Sequence, residues 1–376
     1  MKNVDIVIGL NYGDEGKGGV TNFLAKKAGE HTAVVRFNSG AQAGHTVEVN
    51  DKKRHIFHQF GSGTFVGAPT VLSRFVVVNP ILFVHEAADF APDRPIVFVD
   101  PTCMITTPYD VFINQRLEIT RGANRHGSCG LGFNETIERN ERGFPLTVAD
   151  MYEDDFEEKV KQIRDEYFPA RMEDLAIDHD DIMYTLISHA TERFLEDCED
   201  FLQCVSVVED TAAMEMYDNL VFEGSQGLSL DQHSEDFPHV TRSSTGLENV
   251  SELLTDIEAN INVHYVTRSY LTRHGAGPMK GEYKPPSIVV DKTNVYNPFQ
   301  LGMRYAKLDY ERMERNVERD IEFLDGRDFE LFGVITCCDQ YHQVTGLDDT
   351  EVLINRVASA IGTTEIITTW NPTDLA

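Results

Sequence analysis

Positive charge is scarce in this 376-residue chain, where 33 Lys and Arg stand against 62 Asp and Glu for a formal charge of −29. Duplex nucleic acid and anionic membranes attract basic surfaces, so neither is expected as a partner. The six cysteines form no C-x-x-C pair, which argues against a zinc site and predicts reduced thiols. No apolar run approaches the roughly 18 residues of a membrane span, and no signal-peptide pattern is present, so a cytoplasmic protein is expected.

Short apolar runs that alternate with glycine-rich turns and helical segments predict an α/β fold with a mainly parallel central sheet. Helices are expected at residues 17–28, ended by Gly29, and at residues 305–324. The acidic segment 150–210 predicts a helical insertion within a single large domain, 1–376. Ligands are expected at the carboxyl ends of the strands. The predicted strands are residues 5–9, 33–37, 75–78, 96–99, 220–222, 263–266, 331–335 and 365–368.

The segment 13–18 (GDEGKG) lies between a predicted strand and a predicted helix. Small residues let backbone N–H groups approach a phosphate, and the helix N-terminus and Lys17 add positive potential. The segment is not a true P-loop, because Asn11 and Gly18 stand where that motif has Gly and Ser or Thr. A generic glycine turn is the simpler alternative. Asp14 would repel phosphate unless it binds a cation or transfers a proton, so the segment favours a catalytic anion site.

A second glycine-rich turn, residues 38–46 (NSGAQAGHT), follows the next predicted strand. A histidine in such a turn, His45, is available as an acid or an electrophile. The alternative is an ordinary surface histidine, which is the commoner fate of a lone His in a loop.

Six segments in order resemble motifs of the adenylosuccinate synthetase family, and the resemblance covers about residues 3–280. It implies the adenylosuccinate synthetase-like fold, which is related to P-loop NTPases. Any one of these segments alone would be weak, whereas six in family order are highly specific. They are residues 12–18 (WGDEGKG in the family), 41–46 (HNAGHT), 127–130 (IGTTG), 222–227 (FEGAQG), 238–245 (PYVTSSNT) and 272–278 (TRVGAGP).

The resemblance implies phosphoryl transfer from a nucleoside triphosphate to O6 of a purine nucleotide, followed by displacement of that phosphate by the amine of L-aspartate. Asp14 would be the base for N1–H and, with the Gly44 carbonyl, a Mg²⁺ ligand. His45 would act as the acid that stabilises the transferring phosphoryl group, and Lys17 would contact phosphate.

The same resemblance implies a set of contacts to the nucleotides and substrates. Gln226 would read the O6/N7 edge of the purine, and Ser128, Cys129 and Thr245 would hold the 5′-phosphate. Arg139 would reach the nucleotide of a neighbouring subunit, which implies a homodimer; the alternative for it is a solvated surface charge. The full set is Asn11, Gly13, Glu15, Gly16, Gly18, Gln42, Thr46, Ser128, Cys129, Arg139, Gln226, Thr245, His274, Arg304 and Asp339.

The last hundred residues depart from the family pattern. Residues 293–304 replace an arginine cluster and keep only Arg304, residues 336–339 (TCCD) replace the guanine-reading TKLD and keep Asp339, and residues 368–372 replace a late STGP. Phe299, Leu301 and Met303 are expected to form an apolar wall against C2′ of the sugar. These departures resemble a branch known from bacteriophages with 2-aminoadenine DNA.

The substrate predicted from that branch is dGMP, converted with L-aspartate and ATP or dATP to N6-succino-2-amino-2′-deoxyadenylate. A phage-encoded enzyme would work in the host cytoplasm. The alternative is the usual reaction of the family, IMP with L-aspartate and GTP to adenylosuccinate. A remoter alternative from another class is a nucleotide-binding regulator without catalysis. Asp14, Lys17, His45 and Gln226 together argue against it, because binding alone needs neither acid nor base.

Overall fold

The computed structural model describes residues 1–50, 52–177, 181–284, 296–347 and 349–375. Nine parallel strands form the central sheet in the order β14-β13-β9-β1-β8-β2-β5-β6-β7. These strands are β1 (Lys2–Gly9), β2 (Thr32–Arg36), β5 (Thr70–Leu72), β6 (Val97–Val99), β7 (Ser206–Val207), β8 (Asn219–Glu223), β9 (Ala259–Arg268), β13 (Phe329–Thr336) and β14 (Ile366–Thr368).

Two small antiparallel sheets accompany it: the hairpin of β3 (His45–Asn50) with β4 (Lys53–Phe57), and the sheet of β10 (Leu271–Arg273), β12 (Arg304–Ala306) and β11 (Glu282–Tyr283). The α/β class and the parallel sheet are therefore confirmed. The strand predicted at residues 75–78 is wrong, because Val77 and Val78 form only isolated bridges. The sheet strand of this region is the earlier β5.

Helices pack on both faces of the sheet. The predicted helix 17–28 is confirmed as α1, and the predicted helix 305–324 begins later, because residues 304–306 pair in β12 and the Asp309 side chain caps α10. The helices are α1 (Lys17–Ala28), α2 (Pro80–Ala88), α3 (Pro108–Arg121), α4 (Phe133–Glu141), α5 (Phe156–Gln162), α6 (Phe168–Asp174), α7 (Asp181–Leu202), α8 (Asp210–Glu215), α9 (Leu247–Leu253), α10 (Tyr310–Ile321), α11 (Tyr341–Thr345) and α12 (Thr350–Ile361).

The acidic segment 150–210 is helical, as expected. It contains α5, α6 and α7, and α7 packs against α2 and α3. Val160 and Phe194 of this segment share one hydrophobic cluster with Val99 of the sheet. None of the described helices is long and apolar enough to cross a membrane.

The sheet topology decides where a site can form. β9, β1, β8 and β2 are consecutive neighbours in the sheet and run in the same direction. The loops that leave their carboxyl ends therefore meet along one edge. Those loops carry Asp14, Gln226, the turn before His45, and Arg268.

Candidate active site

The loop between β1 and α1 has the backbone conformation of an anion cradle. Gly13, Asp14 and Gly16 all have positive φ, at 92°, 56° and 92°. A Cβ on Gly13 would lie 3.2 Å from the Cα of Gln226, so glycine permits both the turn and the close approach of the two loops. Gly16 caps α1, and Gly16, Lys17 and Gly18 line the adjoining cavity, so the N-terminus of α1 opens onto it.

The side chains of Asn11 and Glu15 form hydrogen bonds that stabilise this loop. Both side chains are buried, and Glu15 Oε1 accepts from the backbone N–H of Asn11 at 2.8 Å and from its Nδ2 at 3.1 Å. Burial raises the pKa of Glu15 to about 7, against the opposing effect of Lys17. Asn11 therefore supports the loop and does not line the cavity. Glu15 both binds Asn11 and lines the cavity, so its contact with a nucleotide stays a prediction.

Lys17 is buried between the two central loops. Its Nζ donates to the backbone carbonyl of Gln226 and lies 4.0 Å from Glu15 Oε2. Burial lowers its pKa, and the nearby Glu15 and Asp14 carboxylates oppose that shift. The ammonium group thus ties the two loops together at the wall of the cavity.

Asp14 is accessible at the cavity wall. Its Oδ2 lies 3.5 Å from Nε2 of His274, so the motif at residues 272–278 reaches this loop. Arg268, at the end of β9, donates through Nε to the Asp14 carbonyl and also lines the cavity. Sequence reasoning missed Arg268, although its position directly after the predicted strand 263–266 was a usable signal.

His45 and Glu223 form a buried pair. His45 Nδ1 lies 2.6 Å from Glu223 Oε1, and Ser62 donates to the same carboxylate through its backbone N–H and its hydroxyl. Burial alone would raise the pKa of Glu223, but His45, Arg36 and Ser62 lower it to about 2. Burial lowers the pKa of His45 to about 4, against the opposing effect of Glu223. The ring is therefore neutral at pH 7, with Nδ1–H donated to Glu223 and Nε2 left for a ligand.

These groups share one cavity of about 740 Å³. Its wall carries six Lys and Arg side chains and five carboxylates, whereas the whole chain has a formal charge of −29. The lining is therefore locally basic, as the binding of an anionic ligand requires. Gln42, Gly44, Thr46, Ser128 and Cys129 also line it, and their roles as ligand contacts stay predictions. Burial raises the pKa of the Cys129 thiol to about 11, so the thiol is neutral there.

Three predicted contacts lie away from this cavity. Thr245 is buried and its hydroxyl donates to the Gly227 carbonyl, so its predicted contact with the 5′-phosphate is wrong; Thr241 and Arg242 of the same motif line the cavity instead. Arg304 is bound to Glu282 and to two backbone carbonyls. Asp339 is exposed beyond the carboxyl end of β13 and does not line the cavity.

The predicted inter-subunit role of Arg139 is wrong. Its side chain is 0% exposed, and its guanidinium binds Asp110 at 2.9 Å and the carbonyls of Ile105 and Phe144. Each of the three guanidinium nitrogens donates to a group of its own chain and the side chain is fully buried, so it reaches no neighbouring subunit. The homodimer inferred from it loses that support.

Replacing Arg139 with leucine is expected to destabilise the fold by about 3–5 kcal/mol, because Asp110 is left charged, buried and unpaired. The measurement is the free energy of unfolding in denaturant. Arg142→Leu, one turn further along the chain and 40% exposed, is the matched control and should cost less than about 1 kcal/mol. An Arg139→Leu protein of normal stability with a raised KM for nucleotide would restore the inter-subunit role.

The apolar wall expected from Phe299, Leu301 and Met303 does not form at the cavity. Phe299 faces Gly130, Leu301 is 43% exposed, and Met303 packs with a separate aromatic cluster. The cavity is lined instead by Tyr296, Asn297, Pro298 and Gln300. Residues 293–295 of the same stretch lie outside the described residues.

The family model described as adenylosuccinate synthetase matches residues 6–302. The chain belongs to this family. Adenylosuccinate synthetases of Psychrobacter arcticus and Clostridium botulinum (strain Alaska E43) are 32% and 30% identical to it over 298 and 307 residues, which is 75% and 77% of this chain. The chain spans about two thirds of the length of these relatives, 65% and 66%.

Two solved structures share the fold. The fully ligated adenylosuccinate synthetase of Plasmodium falciparum superposes with a TM-score of 0.74 at 17% identity and covers 98% of both chains. The succinoaminodeoxyadenylate synthetase of cyanophage S-2L, bound to dGMP and dATP, superposes with a TM-score of 0.62 at 16% identity and covers 99% of this chain and 93% of its own. Both confirm the α/β architecture.

Proposed function

We propose that this protein is a ligase that joins L-aspartate to C6 of a 6-oxopurine nucleoside monophosphate at the expense of a nucleoside triphosphate. The observation that carries the proposal is the meeting of Asp14, Lys17 and the His45–Glu223 pair at one basic cavity, at the N-terminus of α1. A protein that only binds nucleotide needs the cradle and the lysine, but not a carboxylate base and a histidine held by a buried carboxylate.

Asp14 is the base in this proposal. It takes the proton from N1 of the purine, so that electron density moves to O6, and O6 attacks the γ-phosphorus as the nucleoside diphosphate leaves. The aspartate amine then attacks C6 and the phosphate departs with the former O6. Lys17, together with His45 once its Nε2 has taken up a proton beside the bound phosphates, stabilises the charge on the transferring group.

Mg²⁺ fits the donor set beside the cradle. The Asp14 carboxylate is accessible and the Gly44 backbone borders the same cavity, and one carboxylate with a carbonyl is the kind of set that holds Mg²⁺ together with substrate phosphates. No group of three or more His, Cys, Asp or Glu side chains that could hold a metal on its own occurs in the described ranges. The ion would neutralise phosphate charge, with Asp14 and the Gly44 carbonyl as its protein ligands.

The proposed purine substrate is dGMP, with ATP or dATP as the phosphoryl donor. Two observations support it. The guanine-reading TKLD of the family is Thr336-Cys337-Cys338-Asp339 in this chain, so its lysine is gone and its Asp remains. The cyanophage enzyme, which shares the fold, is bound to dGMP and dATP. The second candidate, IMP with GTP, is favoured by relatives at 28–32% identity that are named adenylosuccinate synthetases.

A crossed substrate panel tests the proposal. Phosphate release is measured with dGMP, GMP, dIMP or IMP, each with ATP, dATP or GTP, in the presence and absence of L-aspartate. The expected result is release that requires both aspartate and a purine monophosphate, with kcat/KM highest for dGMP. A preference for IMP with GTP would leave the ligase chemistry in place and return the protein to adenylosuccinate synthesis. Absence of aspartate-dependent release in every combination would overturn the proposed ligase.

The fluorescence of the chain's only tryptophan gives a second way to measure which triphosphate binds. Trp370 is 44% exposed beyond the end of β14, and Thr369 beside it hydrogen-bonds to the backbone of Cys338. This edge adjoins the cradle, because the Thr336 hydroxyl donates to the Glu15 carbonyl. Titrating ATP, dATP and GTP against tryptophan fluorescence should therefore rank the donors, with ATP or dATP binding more tightly than GTP.

A further inference from the structure

The Tyr12 side chain, two residues before Asp14, is held between charged groups. Tyr12 is buried at the wall of the cavity. The guanidinium carbons of Arg273 and Arg312 lie 4.4 Å and 5.2 Å from the centre of its ring. An aromatic ring attracts a guanidinium at such distances, and more strongly where water is excluded. Two cations therefore hold the residue that immediately precedes the anion cradle.

Asp236 binds both guanidinium groups. Its Oδ2 accepts from Arg273 Nη1 at 2.9 Å and from Arg312 Nη2 at 3.0 Å, and its Oδ1 accepts from Arg312 Nη1 at 3.2 Å. Arg312 Nε donates to Ser229 Oγ at 3.0 Å, and the side chain of Arg312 is only 13% exposed. All three nitrogens of this guanidinium therefore donate to fixed partners, which sets the orientation of its plane.

The strand that carries Arg273, β10, contacts the cradle at consecutive residues. Thr272, one residue before Arg273, donates through its hydroxyl to the Gly13 carbonyl at 3.2 Å. His274, one residue after it, lies 3.5 Å from Asp14, between Nε2 and Oδ2. The arginine against the tyrosine ring is therefore the middle one of three consecutive contacts with the loop that carries the proposed base.

We infer that Arg312 is a positioning residue for Asp14. The inference rests on the proposed function for the role of Asp14 as the base. It adds a residue of α10, a helix that lies beyond residues 6–302 matched by the family model. Arg312 does not line the cavity, so it acts on Asp14 through the Tyr12 ring and not on a ligand. Proton transfer needs the carboxylate within hydrogen-bond reach of N1, and a displacement of about 1 Å lowers a rate by as much as about 10²-fold.

Arg312→Met is the main test of this role. Asp236 stays paired with Arg273 in this variant, so no buried carboxylate is left without a cation and the fold should survive. The kcat of aspartate-dependent phosphate release should fall about 10–100-fold, because the loop is held less firmly. The Kd of dGMP, measured by calorimetry, should stay within about threefold of the wild-type value, because no ligand contact is removed.

Arg312→Lys separates the orientation of the group from its charge. Lysine keeps a positive charge near Asp236, but it has no planar fork that can bind Asp236 and Ser229 at the same time. Most of the loss should therefore remain, with kcat at least about fivefold below that of the wild type. Full recovery of kcat in Arg312→Lys would assign the effect to charge and overturn the positioning role.

Hydrogen exchange of the loop gives a readout that does not depend on activity. The backbone amides of residues 12–18 should exchange at least about threefold faster in Arg312→Met than in the wild type, both without ligands, because local opening becomes easier. Exchange in the remainder of β1 should be unchanged. Wild-type exchange in residues 12–18 would overturn the inference whatever the activity.

The matched control is a second arginine that lies over a tyrosine of the same helix. Arg356 Cζ lies 3.9 Å from the centre of the Tyr310 ring, and neither residue lines the cavity. Arg356→Met should leave kcat, the Kd of dGMP and the exchange of residues 12–18 unchanged. Equal effects in Arg356→Met and Arg312→Met would assign them to the fold in general and overturn the inference.

The remaining outcomes separate this inference from the proposed function. Wild-type kcat in Arg312→Met, or a loss confined to the affinity for dGMP, would overturn the role of Arg312 and keep the ligase. A wild-type protein without aspartate-dependent phosphate release would remove the ligase. Faster exchange of residues 12–18 in Arg312→Met would then still show that Arg312 positions the loop.

Discussion

Replacing His45 with alanine is expected to lower kcat by about 10²–10⁴-fold, with a smaller change in the KM for the purine monophosphate. Glu223 holds the imidazole at 2.6 Å at the wall of the main cavity, and the substitution removes the group that donates to the phosphoryl group once it is protonated. The measurement is steady-state phosphate release with saturating aspartate. Near-normal kcat in a folded His45→Ala protein would show that His45 has no role in the chemistry.

The control for this variant is a second histidine–carboxylate pair, in which the histidine is buried and the carboxylate half-buried. His264 Nε2 lies 2.8 Å from Asp5, and neither residue lines the cavity. His264→Ala changes the same side chain in a similar setting, so its kcat should stay within a few-fold of the wild type. Equal losses in both variants would assign the effect to folding.

The protonation of His45 gives a second, independent test of its proposed role. Burial lowers its pKa to about 4, so Nε2 carries no proton at pH 7 in the free protein. An anionic phosphate beside the ring favours the charged form, and Glu223 on the other side favours it as well. Binding of the triphosphate should therefore take up a proton, and affinity should weaken as the pH rises. Calorimetry in buffers of different ionisation enthalpy measures that uptake, which His45→Ala should lose.

Glu223→Gln separates positioning from direct contact. The amide keeps a partner for Nδ1 but removes the negative charge, so the uptake of the proton should diminish and kcat should fall, while the histidine itself is unchanged. A smaller loss than that of His45→Ala, with the KM for the purine unchanged, identifies Glu223 as a positioning residue. A KM effect without a kcat effect would contradict that role.

The sheet and the central loops could be predicted because their signals are local. Residues 5–9 and 17–28 are a short apolar run and an amphipathic segment that ends at a glycine, and both lie where expected. The strand expected at 75–78 failed for a physical reason: an apolar run is also typical of a buried connection, and only the pairing of Thr70–Leu72 with the neighbouring strands distinguishes the two.

The partners of charged side chains were less predictable, because they depend on contacts distant in sequence. Arg139 has the composition of a surface helix around it, yet Asp110, 29 residues earlier, draws it into the interior. Glu223 follows a buried strand and gave no sign that it would hold His45, which is 178 residues away in sequence. Resemblance to a family motif predicts which residue type occurs at a position. Whether its side chain is buried, and which group it pairs with, depends on the assembled fold.

The Asp14→Asn protein is expected to lose at least about 10³-fold in kcat. An amide cannot take the proton from N1 of the purine, and it is a poorer ligand for Mg²⁺ than a carboxylate. The fold should survive, because Asp14 is accessible and its backbone carbonyl, the acceptor for Arg268, is unchanged. Asparagine also tolerates the positive φ of 56° at this position.

The affinity of the Asp14→Asn protein for dGMP distinguishes the loss of the catalytic base from a general loss of the binding site. Asp14→Asn should still bind dGMP within about tenfold of the wild type, because the ground-state contacts of the base and the phosphate lie elsewhere in the cavity. Asp5→Asn makes the same chemical change on β1 at a residue that does not line the cavity, and it should retain near-normal turnover. If Asp14→Asn kept more than about a tenth of the wild-type kcat, Asp14 could not be the base. If instead kcat fell and added Mg²⁺ restored it, the carboxylate would act as a metal ligand alone, and another group would have to take the N1 proton.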